Sequence, residues 1–96
     1  MFRVIDIIRF DETLILEQPD IAERFGLGIL AILDPAQVTA APMQAGSPVR
    51  IHRLHGKSID RVVSKVDVRY SGVGLFFKGV DQHEIPRQSE IELLSD

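Results

Sequence analysis

The chain has 96 residues, a formal net charge of −3, no cysteine, 45% apolar residues and 26% charged ones. That is the size and composition of one small globular domain, residues 1–96, with enough apolar content to build a core and too much for a disordered chain. Without cysteine there is no disulfide framework and no thiolate nucleophile or metal ligand.

The N-terminal run Phe2-Arg3-Val4-Ile5-Asp6-Ile7-Ile8 alternates like a strand, with Phe2, Val4 and Asp6 on one side and Arg3, Ile5 and Ile7 on the other. Ile7-Ile8 breaks the alternation, so both faces are partly apolar, as in a barrel strand. The strand runs to Phe10, Asp11-Glu12 makes a turn, and Thr13 to Glu17 reads as a second strand. In Pro19 to Gly26, Asp20 and Glu23 have the spacing of a capping box and Gly26 is a helix stop, which predicts one short helical turn. Gly28 to Leu33 returns to a strand. The stretch 34–46, DPAQVTAAPMQAG, is rich in alanine, proline and small polar residues and predicts a long, mobile loop.

Ser47 to Leu54 reads as a strand, His55-Gly56-Lys57 as a turn, and Ile59 to Tyr70 as one long strand. Its alternation puts Val62, Ser64, Val66, Val68 and Tyr70 on one face, with Arg61, Val63, Lys65, Asp67 and Arg69 on the other. Val73 to Lys78 and Ser89 to Leu94 complete the set, separated by a polar turn closed by Ile85-Pro86. The expected fold is all-β, a small closed barrel of six or seven mainly antiparallel strands with one short helical turn.

Four segments carry a resemblance. Gly74-Leu75-Phe76-Phe77-Lys78-Gly79-Val80 through Glu84-Ile85, Ala45-Gly46-Ser47-Pro48-Val49-Arg50-Ile51, Arg61 to Asp67, and Phe2 to Ile8 resemble strands of the β-barrel domain that follows the GTPase domain in elongation factor Tu and related translation factors. The likeness covers the first ten residues and about Gly46 to Leu93. Ser47 stands where that family commonly has aspartate, Gln88 where it commonly has glycine, and no P-loop sequence is present. The resemblance implies the accessory barrel without its motor, a non-catalytic binding or scaffolding module whose partner is a protein, RNA or the ribosome.

Among candidate sites, the basic third of the chain stands out. Arg50, Arg53, Lys57, Arg61, Lys65 and Arg69 lie between Gly46 and Gly72 against only Asp60 and Asp67. Arg50, Arg53, Arg61, Lys65 and Arg69 form a candidate nucleic-acid-binding stripe, although the acidic balance elsewhere is not that of a dedicated nucleic-acid binder. Phe76 and Phe77 are adjacent on a strand, so one ring is expected on the surface unless another element covers it, which marks a candidate protein-interaction surface. The helical turn at 19–26 and the 34–46 loop are the two elements able to cover it.

His52, His55 and His83 are the histidines available to a metal or to acid–base chemistry. The His52-x-x-His55 spacing on a strand entering a turn does not put both rings on one face, and no serine sits in a nucleophile elbow. No metal, cofactor or catalytic residue is therefore assigned. The N-terminus lacks a secretory h-region and the longest apolar run is too short to span a bilayer, so a cytoplasmic protein without membrane contact is expected.

Overall fold

A computed structural model describes residues 1–38, 43–69 and 72–94. It is a mostly-β fold: seven antiparallel strands in one sheet, decorated by short helices. In chain order the elements are β1 (Phe2–Phe10), α1 (Glu12–Glu17), α2 (Pro19–Arg24), β2 (Gly28–Leu33), β3 (Pro48–His52), β4 (Ile59–Val62), β5 (Lys65–Arg69), β6 (Gly72–Lys78) and β7 (Glu90–Leu93), with a single 3-10 turn at Gln82–Glu84. The strands lie in the order β4-β3-β7-β1-β2-β6-β5.

The two ends of that order are neighbours in the chain, separated only by Val63 and Ser64. There the backbone changes partner. The Val63 N–H donates to the Ser47 carbonyl at 3.0 Å and its carbonyl accepts from Gly46 at 2.8 Å, whereas the Ser64 N–H donates to Phe76 at 2.8 Å. The Ser64 hydroxyl oxygen then accepts from the Lys78 N–H at 3.0 Å.

This switch corrects the expectation of one uninterrupted strand from Ile59 to Tyr70. Arg61 pairs across from buried Val49 and so shares the core face, while Lys65 pairs across from Phe76 on the outer face. Val63 and Val66 both turn toward the core, although their positions differ in parity. The even spacing of Arg61 and Lys65 does not place them in one row. Tyr70 and the side chain of Arg69 lie outside the described residues.

A second irregularity sits in β1. Its register against β2 shifts between Val4 and Asp6, so Val4 and Ile7 both face the core. This bulge is the physical content of the broken alternation at Ile7-Ile8. β1 pairs with β7 only at Phe2 and Arg3.

The main core gathers Val4, Ile29, Ala31, Leu33, Val49, Ile51, Val73, Leu75, Phe77 and Ile91 from the strands. Val38, Met43 and Ile85 join it from loops, so the 34–46 segment is packed at both of its described ends. Its residues 39–42 lie outside the described set, and with them the test of that loop's expected mobility.

Residues 13–17, expected as a strand, are helix α1. Asp11 caps it, its carboxylate accepting from the Leu14 N–H at 3.0 Å. Leu14 then meets a second apolar cluster on the outer face of the sheet, made of Phe10, Leu30 and Phe76 with Phe25 and Ile32. The short apolar run Leu14-Ile15-Leu16 carries no helical period of its own; the cap and the waiting aromatic surface decide its conformation.

Candidate functional site

Apart from the side chain of Arg69, the sequence-derived candidates lie on described residues. Phe76 and Phe77 are 1% and 0% exposed. Phe77 points into the main core, and the outward ring of Phe76 stacks with Phe10 and Phe25 at centroid distances of 5.3 and 5.1 Å. The expected exposed ring is therefore absent, because α1 and α2 bring Leu14 and Phe25 over the outer face. Neither phenylalanine offers a docking surface.

The basic residues are largely occupied within the molecule. Arg50 forms a two-pronged pair with Asp60 at 2.8 and 3.2 Å, which holds the Asp60 carboxyl below its ordinary range. Arg53 donates to the Lys57 carbonyl at 2.7 Å across the β3–β4 turn. Arg61 reaches Glu84 in the 3-10 turn, and Lys65 caps the C-terminal carbonyl of Arg24 on α2 while lying 5.5 Å from the Phe25 ring centroid. Lys65 thus fastens the helices to the sheet. Lys65→Gln is expected to cost about 0.5–1 kcal/mol of unfolding free energy through the lost helix cap, checked by urea denaturation.

Glu84 is held by two partners. One oxygen accepts the Asp81 N–H at 3.0 Å and the other takes Arg61. The Asp81 bond is the larger cause of a carboxyl pKa depressed below its ordinary value of 4.5; burial opposes it and Arg61 adds to it. A depressed folded-state pKa contributes stability in full above 4.5, lost as pH falls through the folded value. Glu84→Gln is therefore expected to remove part of the stability lost on acidification below about pH 4.5, read as a flatter dependence of Tm on pH than in the parent.

His52 lies between two partners on the outer face of β3, its Nε2 2.7 Å from a Glu92 carboxylate oxygen and its Nδ1 3.0 Å from the Ser58 hydroxyl. This chain of contacts ties β7 to the turn before β4. His55 and His83 are exposed, and among the described residues no group of three or more His, Asp or Glu is placed to hold a metal ion.

Among the described residues one open surface lies at the far end of β1, and another hollow, of about 410 Å³, lies between residues 44–48 and Leu93 and Leu94. A groove of about 400 Å³ runs between the end of β1, the start of β2 and the loop after β6. Phe10, Leu27, Ile29 and Val80 supply its apolar wall, and Arg9, Asp11, Glu12, Asp81 and His83 its polar groups. Leu27 is 46% exposed. A smaller hollow of about 280 Å³, between β1 and the segment 85–87, shares Arg9 with this groove. Among the described residues Arg9 has no ion pair or side-chain hydrogen bond.

Sequence reasoning did not find this site. Arg9, Leu27 and Val80 are far apart in the chain, and no motif joins them; only the β1–β2–β6 pairing brings their strand ends together. No family model, curated protein or solved structure matches the chain. Among the described residues no helix is long and apolar enough to cross a membrane.

Proposed function

We propose that this chain is a non-catalytic binding module, built on a closed barrel of the translation-factor type, that takes a protein partner in the groove beside Arg9. Closure is supported by β4 and β5, the ends of the sheet order, being consecutive parts of one stretch of chain that changes partner from Ser47 at Val63 to Phe76 at Ser64. The observation that carries the binding reading is the groove itself: an apolar wall with an exposed leucine, rimmed by charges of both signs and by an arginine left without an internal partner.

An RNA-binding stripe is the weaker reading. Arg50 and Arg61 are each neutralised by a carboxylate, and Arg61 and Lys65 belong to opposite faces. A polyanion needs a row of free cations on one surface.

The test is selection of short peptides from a random displayed library on the whole chain, followed by titration of the best binders into the amide NMR spectrum. Shifts centred on Leu27, Gly28 and Gly79–Asp81, persisting at roughly 0.5 M salt where exposed charges are screened, are the expected result. Binders that move only other parts of the spectrum, or a library that yields none, would defeat the reading.

A further inference from the structure

The hollow between β1 and the 85–87 segment has a defined construction. Because β1 leaves β7 after Arg3, no strand among the described residues lies on that side of β1 from Ile5 onward. The facing wall is a short turn locked at both ends: Ile85 and Ser89 are fully buried, and the Ser89 hydroxyl donates to the Pro86 carbonyl at 2.6 Å. Gln88 within it has φ +70, the only positive φ among the described residues other than glycine, and its N–H donates to the Val4 carbonyl at 2.9 Å. A residue that size in the left-handed region is held there by its surroundings.

The turn carries Arg87, which lines the same hollow as Arg9. Only Arg87 of the two has a carboxylate partner among the described residues. Asp6 accepts from Arg87 at 2.9 Å and from the Ile7 N–H at 2.9 Å, leaving Arg9 unmatched. The hollow carries one positive charge in excess.

Resting on the binding reading above, we infer that the partner is an extended peptide segment in which an acidic residue adjoins an apolar one. Its carboxylate meets Arg9 and Arg87, and its apolar side chain lies against Leu27 and Val80 in the groove that shares Arg9. Three observations select this occupant. The excess charge in the hollow matches a single carboxylate, which a guanidinium binds through paired N–H donors. The open edge of β1 suits an extended backbone. Asp11, Glu12 and Asp81 on the rim of the larger groove repel a polyanion, so a chain of phosphates fits less well than one acid beside an apolar residue.

The experiment extends the peptide selection to Arg9→Gln and Arg87→Gln, with a single-stranded RNA 10-mer as a separate probe. Both arginines are on the surface, and an unchanged amide spectrum verifies that each variant folds. The inferred result is enrichment of Asp or Glu next to Leu, Ile, Val or Phe in the selected peptides, with Kd weakened at least about tenfold by either substitution, the scale of a charge-assisted hydrogen bond. Peptides that bind the groove without acid enrichment, or that keep their affinity in both variants, overturn the inference and leave the groove reading standing. RNA that shifts Arg9 and Arg87 more strongly than any peptide overturns both.

Discussion

Phe77→Ala is expected to cost about 3–5 kcal/mol of stability. The ring is fully buried among Ile29, Val49, Leu75 and Ile91 from four strands that all depend on the same interior. Removing it forfeits the transfer free energy of a whole aromatic side chain and leaves a cavity that hydrogen-bonded strands cannot collapse to fill. A domain of this size has a total stability on the order of 5–15 kcal/mol, so the variant should sit near or below its folding threshold. Phe77→Leu refills most of the volume and is expected to lose only about 1–2 kcal/mol, which keeps the comparison measurable by urea denaturation. Equal midpoints for the parent and Phe77→Leu, together with a folded Phe77→Ala, would show that the core does not rest on this ring.

Gly28→Ala is the second large effect, and its cause is space. A Cβ at Gly28 would lie 2.3 Å from the Phe77 carbonyl oxygen, 2.8 Å from Phe76 Cζ and 3.0 Å from Lys78 Cα. Two of those three atoms are backbone of the paired strand β6, which moves only if the β2–β6 ladder opens. The third belongs to the ring that Phe10 and Phe25 lock in place. A loss of about 3 kcal/mol follows from overpacking at a site with no room to give. Gly46→Ala is the control. Nothing lies within 4 Å of a Cβ there, and only its φ of +92 opposes the methyl, a penalty of about 1–2 kcal/mol. If Gly46→Ala proves as costly as Gly28→Ala, backbone conformation and not packing governs both sites.

The positions behind these two effects were unequally legible. That Gly28 opens an apolar strand is visible in the pattern, but its need to lack a side chain comes from Phe76 and Phe77, almost fifty residues later. Strand β2 and strand β6 could be located from their apolar runs and flanking glycines, and both lie within a residue or so of where the pattern placed them. The turn at His55-Gly56-Lys57 was legible for a similar reason, since Gly56 has φ +97. Residues 13–17 read as a strand because a helix of six residues is too short to show its period, and its cap at Asp11 works equally well as a turn signal.

The amino-acid sequence by itself determined the class of this protein: an apolar, cysteine-free chain with repeated short strands must bury their faces in a small β structure. It also determined which strands are apolar on both sides. The tertiary structure decided everything that depends on what lies across from a residue. It put the helices over Phe76, turned Arg61 and Lys65 to opposite faces through the partner switch at Val63-Ser64, and matched most of the basic third with carboxylates or carbonyls. It also left Arg9 unmatched beside Arg87 at the open edge of β1. The physical reason is the same in each case. Hydrophobic alternation is a local property, written along one strand. Burial of a ring and neutralisation of a charge are set by partners that only strand pairing brings near.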